Sequence, residues 1–103
     1  MNKYLIEYSK PARNDILRLH KFVYQNSQSL ETADKAIERI VIAIAKLDFM
    51  PERYSKYRYN SGNRQLRVYP IKNYVIFYRV NNNEKSVEIV RIFYKSEGYT
   101  ELI

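Results

Sequence analysis

The sequence predicts an α+β domain: a two-helix hairpin packed on one face of an antiparallel sheet, in the order β-α-α-β-β-β. Two observations carry this. Up to residue 50 the apolar residues recur every three or four positions, the period of a helix with one buried side. After Pro51 they alternate, or run on through aromatic and β-branched residues, as strands do. At 103 residues the chain is one domain, 1–103, able to bury a single core without staples.

Tyr4–Tyr8 is a short β-prone stretch. Ser9 then offers an N-cap, and Pro11 falls in the first helical turn, where its missing N–H costs nothing. Ala12, Ile16, Leu19 and Val23 line one helical face, so the first helix should run from about Lys10 to Tyr24. Asn26-Ser27-Gln28-Ser29 breaks it. The second helix, capped by Ser29 or Thr32, presents Ala33, Ile37, Ile40, Val41, Ile44 and Leu47 on one face. It must end near Phe49, because Pro51 disfavours helix at Met50 and cannot donate to the ladder. A short connection makes the two helices an antiparallel hairpin.

Residues 52–63 read as irregular, with a turn at Ser61-Gly62-Asn63. Arg64–Tyr69 alternates, with Leu66 and Val68 on one side and Gln65, Arg67 and Tyr69 on the other, polar side. Pro70 to Asn73 reads as a turn and Tyr74–Val80 as a strand. Asn81-Asn82-Asn83 offers the left-handed conformations of a hairpin turn. Ser86–Tyr94 is the last strand. There is no internal repeat, linker or low-complexity tract.

Charge is unevenly placed. Residues 53–95 hold ten Lys/Arg against Glu84 and Glu88, and seven of the eleven tyrosines, whereas residues 1–52 nearly balance; the whole chain is +7. A basic, tyrosine-rich surface suits a polyanion or an acidic protein partner. The expectation is that Arg58, Arg64, Arg67, Arg91, Tyr94 and Lys95 gather on one exposed side of the sheet to meet it. Tyr94 is a phenol that can hydrogen-bond a phosphate or stack on a base. With a pKa ordinarily near 10 it needs cationic neighbours, Arg91 or Lys95, to act as a base.

Other chemistries are poorly supplied. Without cysteine there is no disulfide, thiolate metal site or Cys nucleophile. His20, the only histidine, stands at the edge of the first helix's apolar stripe, so no metal site and no cofactor is expected. Two glycines, Gly62 and Gly98, do not make a phosphate-cradling loop. The mixed charges of the helices, Arg13, Lys21, Lys35, Arg39 and Lys46 with Asp15, Asp34 and Glu38, read as a solvated face. Phe22, Tyr24 and Phe49 extend a contact surface if exposed. The longest aliphatic run, Ile40–Ala45, is far shorter than a bilayer span, and no signal-peptide stretch opens the chain. A cytoplasmic protein with no membrane partner is expected.

Several stretches resemble the RelE/ParE superfamily of bacterial toxins. Tyr4-Leu-Ile-Glu-Tyr-Ser followed by Ala12 and Asp15-Ile resembles the family's opening, and Leu47-Asp-Phe-Met-Pro51 its end of the second helix. Asn73-Tyr-Val-Ile-Phe-Tyr-Arg-Val80 with Val87-Glu-Ile-Val-Arg-Ile-Phe-Tyr94 resembles the strand pair of the ParE branch. The resemblance implies the toxin of a type II toxin–antitoxin (plasmid stabilisation) module, held in a hetero-oligomer by a small acidic antitoxin. Its target would be DNA gyrase, by binding, in the ParE manner. The alternatives are metal-independent mRNA cleavage on the ribosome, with Arg67, Arg91 and Tyr94 as a substitute catalytic set, or a degenerate toxin that only binds its antitoxin. Ribonuclease members carry an arginine where this chain has Val75, and another near Ser96 or Glu97; many ParE-like members have Gly-x-Arg-Asp where this chain has Lys95-Ser-Glu-Gly98. Cations beside a phosphate stabilise the charge that builds in cleavage, so these departures weigh toward the binding toxin.

Overall fold

The computed structural model of the protein describes residues 3–59 and 65–97. Ser9 caps the first helix as expected: its side chain accepts from the Ala12 N–H. The helix, α1 (Lys10–Ser27), runs three residues past Tyr24 and stops where Gln28 turns left-handed, its N–H donating to the Tyr24 carbonyl. Ser29 caps α2 (Leu30–Ala45), and a 3-10 turn, Lys46–Asp48, ends it. Ala33, Ile40, Ile44 and Leu47 are buried as the spacing predicts, but Val41 is 41% exposed and Ala36 and Ala43 are buried instead.

The strands are β1 (Leu5–Tyr8), β2 (Arg67–Ile71), β3 (Tyr74–Asn81) and β4 (Ser86–Tyr94), in the order β1-β4-β3-β2. Two hairpins make β2, β3 and β4 antiparallel, but β1 lies parallel to β4, so the sheet is mixed and not purely antiparallel. The reason is that β1 enters before the helices. α1 continues along β4, the antiparallel α2 brings the chain back, and the Tyr4 N–H donates to the Asp48 carbonyl there. Pro70 and Ile71, expected in a turn, belong to β2, leaving a tight turn at Lys72 and Asn73. Pro70 is tolerated because β2 is an edge strand. At the next hairpin the left-handed residue is Lys85 (φ 53°) and not one of the asparagines; Asn81 instead accepts the Glu84 N–H through its side chain.

Two cores lie on the two faces of the sheet. The helices cover Tyr74, Ile76, Tyr78, Val87, Ile89 and Ile92. The far face holds Val75, Phe77 and Phe93, covered by Tyr57 and Leu66 of the segment before β2. That segment is tied by the Tyr57 N–H to the Leu66 carbonyl and the Val68 N–H to the Ser55 carbonyl. β4 changes phase at Val90: Tyr78 pairs with Ile89 but Phe77 with Arg91. Val90 is the extra residue of a β-bulge, which leaves Val90 and Arg91 together on the far face and returns Ile92 to the helices.

Candidate functional site

β1 is short, and beyond it the edge of β4 would be left with unpaired backbone groups. α1 fills that place with side chains. Ser9 Oγ donates to the Val90 carbonyl at 2.9 Å. Asp15 Oδ2 accepts the Ile92 N–H at 2.9 Å, and Arg18 Nη2 donates to the Ile92 carbonyl at 3.2 Å. Glu97, in the turn after β4, accepts the Tyr94 N–H at 2.8 Å. Buried polar groups need partners, and here four side chains replace a neighbouring strand.

Asp15 is the hub of this edge. It is only 3% exposed, and its carboxylate also receives Arg91 through Nε (2.8 Å) and Nη2 (3.0 Å). The hydrogen bonds that Arg91 donates to Asp15 raise its guanidinium above its already high pKa, so it is charged at every working pH. Arg91 also lies 4.5 Å from the Phe93 ring centroid, with Arg18 at 5.9 Å. The mixed charges around it in sequence point instead to a solvated helix face for Asp15. The signal against that was its position between Ala12 and Leu19, inside the apolar stripe, where an acid has to be paired.

Arg67 is held on the other face. It pairs in register with Tyr78, which faces the helices. Its guanidinium donates to the carbonyls of Glu52 (3.1 Å) and Tyr54 (2.7 Å) and lies 3.5 Å from the Glu52 carboxylate. Arg67 and Tyr69 therefore face the helix side and not a polar, solvent-facing one: Tyr69 stacks on Tyr54 with centroids 4.1 Å apart. Gln65, left-handed (φ 52°) and ahead of β2, breaks the alternation and is exposed. Below Arg67, the buried Tyr78 hydroxyl donates to the Pro51 carbonyl at 2.6 Å.

Burial pushes the Tyr78 phenol up to about 12. A phenol raised above its unfolded value near 10 contributes stability that is fully present below pH 10 and lost as pH rises toward 12. Denaturant unfolding between pH 9 and 11.5 should therefore fall more steeply for the natural chain than for Tyr78→Phe; equal slopes would refute the assignment.

The expected single basic surface is not what the described residues form. Arg67 and Arg91 stand on opposite faces of the sheet, each bound internally. Arg53 is spent on the carbonyls of Lys46, Phe49 and Met50 at the end of α2, and Arg79 pairs with Glu88 across β3 and β4. Arg58 is exposed, its guanidinium 5.8 Å from the Tyr59 ring. Lys95 is exposed, with its backbone N–H on the Asn73 carbonyl. Arg64 lies outside the described residues. The reason is local: arginine's five donors match carbonyls and carboxylates wherever a chain end needs them, and sequence charge alone does not register that demand.

Tyr94 does sit at a concavity. A groove of about 490 Å³ runs between α1 and the end of β4, lined by Arg18, Lys21, Phe22, Tyr94 and Glu97 among others. Phe22 meets Tyr94 edge to face at 5.1 Å, and Tyr74 lies 4.8 Å from Tyr94 on the buried side. Burial, then the hydrogen bond with Tyr94, pushes the Tyr74 phenol up to about 12. Arg18 Nη1 holds Glu97 Oε2 at 2.7 Å across the groove. Phe22, Tyr24 and Phe49 are all about half exposed, at 44%, 45% and 45%. His20 clips the two helices together through Asp34 Oδ1 at 2.7 Å. Among the described residues no three His, Cys, Asp or Glu side chains are grouped so that they could hold a metal ion, and no helix is long and apolar enough to cross a membrane.

This arrangement has known counterparts. The chain superposes on a solved structure of the chromosomal ParDE toxin–antitoxin system from P. aeruginosa with a TM-score of 0.73, at 19% identity, over 91% of this chain and 98% of that one. The RelBE2 toxin–antitoxin complex from Mycobacterium tuberculosis gives 0.61 at 18% identity, over 94% and 97%. The archaeal RelE–RelB complex from Pyrococcus horikoshii gives 0.59 at 18% identity, over 95% and 100%. At such identities the likeness speaks for the fold. No curated protein sequence is significantly similar to the chain. The family model described as the ParE toxin of the type II toxin–antitoxin system, parDE, matches residues 6–99. From its first strand to the turn beyond its last, the chain thus belongs to the ParE toxin family of type II toxin–antitoxin systems, within the RelE/ParE superfamily.

Proposed function

We propose that this toxin acts in the cytoplasm as a ParE-type growth inhibitor, by binding DNA gyrase rather than by cutting RNA, and that a small acidic antitoxin neutralises it in a hetero-oligomer. One observation carries the choice of a binding mechanism. The two arginines best placed in sequence to stabilise a cleaved phosphate, Arg67 and Arg91, project from opposite faces of the sheet and are both engaged by internal oxygens. A phosphoryl-transfer site needs its cations converged within hydrogen-bonding reach of one group. Aromatic side chains exposed beside cations, as at Phe22 and Tyr59, instead suit a protein interface. The antitoxin reading is supported by the family and by the chain's net charge of +7, which favours fast encounter with an acidic partner.

Two assays on purified protein test this. Gyrase supercoiling should be inhibited in proportion to toxin, while mRNA in a translating extract stays intact. Cleaved mRNA with unaffected supercoiling would overturn the reading in favour of the ribonuclease. Supercoiling and mRNA both unaffected would leave a chain that only binds its antitoxin.

A further inference from the structure

The α1–β4 groove contains an anion that belongs to the chain itself. Glu97 reaches in from the turn after β4 and places its Oε2 on Arg18 at 2.7 Å, with a side chain still 28% exposed. Beside it Lys21 is exposed and has no ion-pair partner among the described residues. The opposite wall is apolar, formed by Phe22 against the Tyr94 ring. A groove that holds one carboxylate, keeps a spare cation next to it and offers an aromatic wall fits an acidic side chain followed by an apolar one. A further concavity, at the β3–β4 hairpin, carries Glu7, Glu84 and Glu88 with Arg79, the wrong sign for the same ligand.

We propose that this groove docks an acidic, apolar-flanked segment of the antitoxin, and that Glu97 is a built-in competitor that the segment's carboxylate displaces from Arg18. This rests on the toxin–antitoxin reading above. Glu97 is suited to be displaced. Its pair with Arg18 is a partly exposed one, and such pairs hold only weakly, while Arg18 keeps Asp15 and the Ile92 carbonyl whichever carboxylate takes its outer nitrogen. Glu97→Gln is the informative change. The amide oxygen still accepts the Tyr94 N–H, so the turn is kept, but the charge that occupies Arg18 is gone.

The test titrates the ¹⁵N-labelled full chain with the peptide acetyl-Glu-Phe-Glu-Leu-amide and with its counterpart carrying Gln for Glu. Amide shifts should centre on Lys21, Phe22 and Tyr94 to Glu97. Binding should tighten roughly two- to fivefold in E97Q and weaken by a similar factor in K21E, and both differences should shrink in high salt. Equal binding of the Gln peptide, shifts centred elsewhere, or unchanged affinity in E97Q would overturn the proposal. So would a short oligoribonucleotide that displaces the peptide from the same residues more tightly. Co-expression of each toxin variant with the product of the adjacent gene separates the two levels. A complex indifferent to K21E and E97Q sinks the groove and leaves the antitoxin pairing; no complex at all sinks the pairing itself.

Discussion

Replacing Asp15 by alanine is expected to lower the unfolding free energy by about 3–5 kcal/mol, the cost of leaving a buried charge without its partner. The change strips Arg91 of both its hydrogen bonds, leaves the Ile92 N–H without an acceptor, and removes one of the contacts of Arg18. Arg91 cannot escape by losing its proton, and its side chain, 24% exposed, has limited room to reach water. Urea unfolding measures the loss directly. Asp15→Asn should be milder, since one carbonyl oxygen still accepts. Asp15→Ala combined with Arg91→Met should cost less than the sum of the single changes, because the stranded cation is gone. A loss under about 1 kcal/mol for Asp15→Ala, the range of an exposed pair, would contradict the buried hub.

Phe77→Ala is expected to cost a comparable amount, about 3–5 kcal/mol, as for other fully buried aromatics. The ring is 0% exposed and meets Tyr57 edge-on at 5.0 Å and Phe93 at 6.0 Å. It is the centre of the smaller core, and the segment leading to β2 rests on it. The effect should therefore be local as well as global. Hydrogen exchange at the Tyr57 amide, bonded to the Leu66 carbonyl, should quicken more than exchange at Ile40, which belongs to the helix-side core. Uniform quickening would mean that the two cores unfold as one unit and that Phe77 does not hold the segment separately.

These two residues also show where sequence reasoning succeeds and where it stops. Phe77 lies in a run of aromatic and β-branched residues that reads as a strand, and the structure has it in β3. Asp15 looked like one member of a mixed-charge helix face. Its place in the apolar stripe signals only that it must be paired; the partner, the edge of β4, lies some 77 positions away, and nothing within a helical turn reveals which it is. Arg67 and Arg91 were legible as cations in a basic segment but not as tied ones. Tyr94 was singled out, yet its groove owes as much to Arg18, Lys21 and Phe22 of α1, which the strand pattern gives no reason to place beside it.

By itself the amino-acid sequence determined the elements, their order, the cap at Ser9, and the resemblance to the RelE/ParE toxins, because these depend on neighbours a few residues apart. Only the tertiary structure decided that β1 runs parallel to β4, that a bulge at Val90 turns Arg91 to the far face, and that Asp15 and Glu97 receive two of the cations. Period and propensity are set by the local chain, whereas the face a side chain meets and the charge it neutralises are set by atoms brought together only when the sheet closes.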